Sequence, residues 1–311
     1  MPIPERLSPL GLPAIAAPMF LASGPDLVVE TCNSGVVGTF PALNQRKTEG
    51  FSDWLDQIKS RLGTGAAPYG VNLIVHRSNP RLEADLKVVV QHQVPLVITS
   101  LGAVKDVVDA VHSYGGLVFH DVINRRHAEK AVEAGVDGII AVAAGAGGHA
   151  GTYSPFALVS EIREIFSGTI VLSGAINTGA QIAAARMMGA DMGYLGTRFI
   201  ATREAMVDPD YKQMVIDSHA ADVVYTPAIS GVHANFLRPS IVAAGLDPNN
   251  LPEHGRMNLE GEAKAWSTVW SAGQGTGGIS DLPAAADLCA RLRQEYRAAM
   301  TAAAADPFLT D

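Results

Sequence analysis

The chain has 311 residues, a formal net charge of −8 and 48% hydrophobic residues, enough apolar material for one large α/β barrel with an insertion or for two average domains. Its Lys and Arg residues form no run beyond the pairs Arg46-Lys47 and Arg125-Arg126, so no basic footprint is offered to nucleic acid. Met1-Pro-Ile-Pro4 lacks the basic and apolar regions of a signal peptide, and no apolar run is long enough to span a bilayer; the expectation is a cytoplasmic protein with no membrane partner. Cys32 and Cys289 stand far apart in helix-like segments without metal-type spacing, so both are expected to be buried, inert thiols, and no metal site is expected.

Residues 13–20 read as a buried strand, and Gly24-Pro25 opens a helix through Leu27, Val28, Thr31 and Cys32 that stops before Gly35. Residues 35–40 form the next strand, and Ser52 is expected to cap a helix with Trp54, Leu55, Ile58 and Leu62 on one stripe. Residues 69–75 begin a third unit, whose helix is expected to be capped at Asn79-Pro80 with Leu82, Leu86, Val89 and Val90 inward. Residues 96–102 precede a helix with Val104, Val107, Val108 and Val111, and residues 116–122 precede a helix over 125–134. The sixth strand is 138–144, followed by a Ser154-Pro155 cap and a helix over 156–166. Residues 170–176 lead to a helix over 179–188, and 192–199 is the eighth strand.

Eight short apolar runs alternate with helices at intervals of roughly 20–35 residues, the pattern of parallel βαβ units. The count points to a closed (β/α)8 TIM barrel; a doubly wound open sheet is the alternative, because periodicity does not report closure. After residue 199 the regularity fails. Residues 205 to about 266 mix proline pairs such as Asp208-Pro209, Thr226-Pro227 and Arg238-Pro239 with short helical pieces, which reads as a lid folded over one end of the barrel. The chain thus divides into a barrel over 1–204, a substrate-covering insertion over 205–266, and a glycine-rich loop with a closing helix over 267–311. That helix is expected to open at Ser280-Asp281 and to bear Leu282, Leu288, Leu292 and Tyr296, with fraying after Thr301.

Four glycines surround one histidine in residues 145–151, directly after the sixth strand. Glycines there let the backbone approach a flat or phosphorylated ligand closely, and His149 is the one side chain in the loop able to move protons; a solvated loop histidine is the plainer alternative. Ser173-Gly174-Ala175 and Gly196-Thr197 end the seventh and eighth strands, where α/β barrels commonly bind phosphate, and they offer backbone N–H groups and two hydroxyls. Ala17-Pro18-Met19 and Asn72 end the first and third strands. Asn72 suits a flavin-like ring edge and Met19 a soft apolar contact, so that a bound mononucleotide is the economical explanation. His120-Asp121 ends the fifth strand, with either residue able to face the site. His233, in the insertion, is read as lining the pocket. The run from Gly145 to Ala150 also fits a loose dinucleotide fingerprint, but its helix cap at Ser154 lies too far from Gly147.

These motifs resemble the nitronate monooxygenase family of FMN-containing (β/α)8 barrels with a lid domain. The resemblance is carried by Ala17-Pro18-Met19, Gly70-Val-Asn72, Ala146-Gly-Gly-His149-Ala-Gly151, Ser173-Gly174, Leu195-Gly-Thr-Arg-Phe199 and Trp270-Ser-Ala-Gly-Gln-Gly275. It implies FMN held by Ala17, Pro18, Met19, Asn72, Asp121, Gly147, Gly148, Ser173, Gly174, Ala175, Gly196, Thr197 and Gln274. It further implies that His149 faces the flavin as catalytic and substrate-binding residue, with His233 also on the substrate. The implied reaction oxidises an alkyl nitronate with O2 to a carbonyl compound and nitrite. His149 would orient the nitro group, or act as general base if the substrate is a neutral nitroalkane. NAD(P)H-dependent quinone reductases and flavin enoyl-acyl-carrier-protein reductases share the barrel and a similar Gly-His motif, which makes them the alternative, with NAD(P)H as a further partner. A homo-oligomer is compatible with the resemblance. One departure is that some relatives carry His-Lys where this chain has His120-Asp121, replacing a cation near the flavin by a carboxyl.

Overall fold

The computed structural model describes residues 3–102, 105–251 and 268–309. Numbered in chain order with a two-residue strand β7 (Gly148–His149) outside the barrel, eight strands close on themselves. They are β1 Ala14–Ala16, β2 Val37–Pro41, β3 Tyr69–Ile74, β4 Leu96–Ser100, β5 Leu117–Val122, β6 Gly138–Val142, β8 Thr169–Ser173 and β9 Met192–Leu195. Ile15 of β1 lies opposite both Val37 and Tyr194 in parallel pairing, so the sheet has no free edge and the architecture is the (β/α)8 barrel rather than an open sheet.

Both faces of each strand are buried, which is why the sequence shows apolar runs without alternation. Inside the barrel, Ile15, Val37, Leu96, Ile98, Phe119, Ile140, Val171 and Met192 pack together with Leu7 from the N-terminal turn Glu5–Leu7. The intervening residues, among them Val71, Leu73, Val97, Val118, Ile139 and Ile170, pack against the helices outside. Cys32 and Cys289 are buried free thiols there, each pushed up to about 12 by burial.

Several helix boundaries differ from the sequence expectation. The helix after β2 is Thr48–Arg61, starting a turn before Ser52. Phe51 is fully buried and meets the Phe40 ring edge-on at 6.0 Å, so its burial recruits the extra turn, and Ser52 Oγ is hydrogen-bonded to His92 Nε2 instead. Asn79 caps a tight turn, its Oδ1 accepting from the Arg81 amide, and the helix begins only at Leu82, with Val88 taking the buried place expected of Val90. β9 stops at Leu195 and the chain turns into the short helix Thr197–Ile200. The closing helix is Ala285–Ala304. Pro283 keeps the residue before it out of helical backbone, while Asp281 pairs with Arg198 at 2.6 Å and with Arg291 at 2.7 Å. The chain after Thr301 is helical to Ala304 rather than frayed. Val104 lies outside the described residues.

Beyond the barrel, β10 (Val223–Thr226) and β11 (Ala234–Leu237) form an antiparallel sheet whose third strand is β7. Of the insertion expected over 205–266, residues 252–266 lie outside the described residues. Among the described residues no helix is long and apolar enough to cross a membrane.

The barrel is closed over by the last helix at a point with no spare volume. A Cβ on Gly179 would stand 2.0 Å from Leu292 O and 2.3 Å from Tyr296 N, both backbone atoms of the closing helix. Gly179→Ala is therefore expected to lower stability by about 1–3 kcal/mol through overpacking, read as a lower urea midpoint; an unchanged midpoint would show that the two helices separate freely.

Candidate active site

The inward phase of the strands, carried one step past the apolar layers, dictates the floor of a cleft. Ala17, Pro41, Asn72, Ser100, Asp121, Val142, Ser173, Tyr194 and Gly196 all line one cleft of about 1960 Å³ at the carboxyl ends of the strands. A small-molecule pocket occupies roughly 300–1,000 Å³. The cleft therefore has room for a cofactor and a substrate together.

On one side of the floor three polar groups form a chain. Asn72 Nδ2 donates to Ser100 Oγ at 2.8 Å and to Ile98 O at 3.2 Å, and Ser100 Oγ donates to Asp121 Oδ2 at 2.5 Å. Asp121 Oδ1 is buried and has no hydrogen-bond partner among the described residues. Burial raises the Asp121 carboxyl to about 6, against the pull of Ser100 and of nearby His149. Tyr194, from β9, is pushed upward by burial and then by Asp121. Ser100 was not among the residues singled out from the sequence, although the inward series Leu96, Ile98, Ser100 carries the signal.

His120 follows the other phase. It is 8% exposed and shares a 2.7 Å hydrogen bond with Thr99 Oγ1, the neighbouring outward residue of β4. Burial, with His127 adding to it, lowers His120 to about 4 against the effect of Thr99, so the ring is neutral at pH 7. Of the two fifth-strand candidates, Asp121 is the one in the polar chain on the floor.

The wall opposite is built by four loops in backbone contact. Gly174 and Ala175 have φ of 140° and 54°, a Cβ on Gly174 would lie 2.9 Å from Ala144 O, and Ala175 Cβ approaches Gly145. The Gly273 amide donates to Thr197 Oγ1 at 2.8 Å, and a Cβ on Gly147 would meet Gly273 N at 2.9 Å. The Gln274 amide donates to Gly145 O at 2.9 Å. Small residues are required where these chains touch. The wall presents backbone groups, the Ser173 hydroxyl and the remaining O–H of Thr197, a donor set suited to a phosphate.

His149 is held by backbone. Gly148 and His149 pair with Asn235 and Ala234 of β11. The Gly148 amide donates to Ser271 Oγ at 2.7 Å, Ser271 Oγ donates to Asn235 O at 2.7 Å, and Asn235 Nδ2 donates to Ala146 O at 2.6 Å. Tyr211, stacked on Trp270 with ring centroids 5.0 Å apart, donates its hydroxyl to Ser271 O at 2.5 Å. Asn235, Ser271 and Tyr211 thus position the histidine strand, a role that only the folded chain reveals. His233 lines the same cleft with its ring tilted against Tyr225 at 5.1 Å.

Backbone strain gathers here as well. Leu21, Leu101 and Ala175 line the cleft with φ of 60°, 64° and 54°, a left-handed conformation that costs an L-residue about 1–2 kcal/mol. Ala17, Pro18, Met19, Asn72, Asp121, Gly147, Gly148, His149, Ser173, Gly174, Ala175, Gly196, Thr197 and His233 all fall on this one cleft. Gln274 does not: it is exposed, and its flanking Gly273 and Gly275 line the cleft instead. Among the described residues no group of three or more His, Cys, Asp or Glu side chains is placed to hold a metal ion.

The sequence profile of the nitronate monooxygenase family matches residues 77–295, which span β4 to β9 and the loops just described. The chain belongs to the nitronate monooxygenase family. It is accordingly an enzyme, a flavin-dependent oxidoreductase. It is 28% identical to a nitronate monooxygenase of Paraburkholderia phytofirmans over 92% of both chains. In fold it resembles a nitroalkane oxidase from Streptomyces ansochromogenes, with a TM-score of 0.83 at 24% identity over 96% of this chain and 99% of the other. FabK from Thermotoga maritima superposes with a TM-score of 0.81 at 22% identity over 97% of both chains.

Family membership leaves the acid–base behaviour to this chain's own residues. In the unfolded chain His120 titrates at 6.5 and in the fold at about 4, so between these values the unfolded state binds more protons and stability rises with pH. Asp121 moves the other way, from 3.8 to about 6, so across that window the folded state binds more protons and stability falls as pH rises. The two effects oppose each other. In the flavin-free protein Asp121→Asn is expected to leave a stability that climbs with pH between about 4 and 6.5, and His120→Asn one that declines between about 4 and 6. Urea midpoints across that range measure both; parallel curves for the two variants would remove one or both shifts.

Proposed function

We propose that this enzyme is an FMN-dependent nitronate monooxygenase, oxidising a small alkyl nitronate with O2 to a carbonyl compound and nitrite. The observation that carries this reading is the convergence on one cleft of a histidine strand, a polar floor and a wall of glycine-rich loops with phosphate-type donors. When bound, FMN would supply the redox chemistry that side chains lack. Ser173, Gly174, Ala175, Gly196 and Thr197 would hold its phosphate, Gly147 and Gly148 would let the ring approach the backbone, and Ala17, Pro18, Met19 and Asn72 would line the ring's other side. These residues fit the group: the wall is pre-shaped by positive φ at Gly174 and Ala175, and Asp121, which lines the floor, keeps a buried oxygen, Oδ1, without a hydrogen-bond partner among the described residues.

A nitronate arrives already deprotonated, so His149 has no proton to remove and serves to orient and electrostatically hold the nitro oxygens. For a neutral nitroalkane the same imidazole would be the base. We assign residues 205–251, the described part of the insertion, as a lid that keeps water from the reacting carbon, with His233 on the substrate side. Its β11 is paired with the strand bearing His149, so the lid and the histidine share one sheet. NAD(P)H reduction of the same flavin is the rival reading.

Anaerobic mixing separates the two. Nitronate alone is expected to bleach the FMN-loaded protein or give the spectrum of one-electron-reduced flavin, with nitrite released when air is admitted; fast bleaching by NADH or NADPH with no response to nitronate would make the enzyme a reductase. His149→Ala is expected to lower kcat/KM for nitronate by about 10²–10⁴-fold while the protein stays yellow, and full activity in that variant would take His149 out of the mechanism. Thr197→Val removes both a phosphate donor and the acceptor of the Gly273 amide, so FMN retention is expected to weaken in equilibrium dialysis, whereas Thr197→Ser retains it.

A further inference from the structure

Asp121 is a carboxyl placed where a carboxyl is costly. It sits on the floor of the cleft at the end of β5 with one oxygen fixed and the other unused. The chain Asn72→Ser100→Asp121 runs in one direction, every proton pointing toward the carboxyl. A polar floor that served only to stabilise the barrel would satisfy both oxygens, since an unsatisfied buried acceptor costs about 1–3 kcal/mol. The groups facing Asp121 are Ser100 from β4, Asn72 from β3 through Ser100, Tyr194 from β9 and His149 from β7. β6 contributes apolar Ile140 and Val142 to this region. Among the described residues no Lys or Arg is hydrogen-bonded to it.

We infer that Asp121 is the proton acceptor coupled to reduction of the bound flavin: a proton enters its carboxyl when electrons enter the ring. The inference rests on the flavin-dependent reading of this cleft. A flavin taking two electrons and one proton gains a net negative charge. A carboxylate beside that charge, with no Lys or Arg hydrogen-bonded to it among the described residues, is driven to bind a proton, because a like charge in a low-dielectric site disfavours ionisation. In a titration the two electrons come from dithionite, and the second proton comes from solvent to the Asp121 carboxyl. The carboxyl already stands at about 6 in the flavin-free fold, so a further rise carries it through neutral pH. The cleft then neutralises reduced flavin with a proton it can release again, where a fixed cation would hold the charge permanently. Asp121 acts here as a tuning residue, not as a group that attacks substrate.

The FMN-loaded protein tests this without turnover. In the reduced-minus-oxidised infrared difference spectrum at neutral pH, a protonated carboxyl band is expected to appear as a carboxylate band is lost, and both changes should be missing in Asp121→Asn. In spectroelectrochemical titrations above about pH 6, one extra proton per two electrons makes the wild-type potential fall more steeply than that of Asp121→Asn by about 30 mV per pH unit. Absence of the carboxyl band in wild type overturns the inference even if the variant fails to fold. So does a slope that persists in Asp121→Asn and disappears in His149→Ala, which would make the histidine the acceptor. A protein that binds FMN and oxidises nitronate without these signals retains its proposed function and loses only this inference; a protein that binds no flavin loses both.

Discussion

Pairing of β1 with β9 is the constraint on which the rest of the molecule depends. Once Ile15 lies between Val37 and Tyr194, every strand must present alternate residues to an interior too narrow for anything but side chains. The apolar layers fill that interior up to Ile98, Phe119, Ile140 and Val171. The next inward positions, Ser100, Asp121, Val142 and Ser173, come to the surface at the carboxyl ends and form the cleft floor. Fold and site are thus one repeat read at two depths.

The second dependency is the joining of the barrel to its insertion. Gly148 and His149 leave the barrel and become the edge of a sheet whose other strands come from residues 223–237. Ser271 bonds to both partners, and Tyr211 fastens Ser271 in turn. A histidine on a glycine-rich loop would sample many positions; one held in a ladder with Ala234 is pre-organised. Glycine at 147 and 273 serves close approach of backbones at this junction as much as approach to a ligand.

Much of this was legible in the chain of residues. Apolar runs bounded by glycine and proline marked all eight strands, and polar or small residues at their ends marked the cleft. The boundaries that were misread share a cause. Ser52, Asn79 and Ser280-Asp281 are good capping residues by local chemistry, but Phe51 packing on Phe40, the turn closed by Asn79 on Arg81, and Asp281 answering buried Arg198 outweighed it. Gln274 is exposed as a residue and falls outside the cleft lining, but its amide is bonded to Gly145 O and its side chain lies against Gly145.

By itself the sequence determined the eightfold repeat, the loops that carry small and polar groups, and His149 as the titratable side chain among glycines, because these follow from composition and spacing along the chain. The tertiary structure alone decided that the sheet closes, that Asp121 belongs to the cleft floor while His120 packs with Thr99, and that Asn235, Ser271 and Tyr211 hold His149 in place. Each of those outcomes depends on which residues distant in sequence share a hydrogen bond or a face. Local periodicity does not encode that information; the burial of surfaces against one another does.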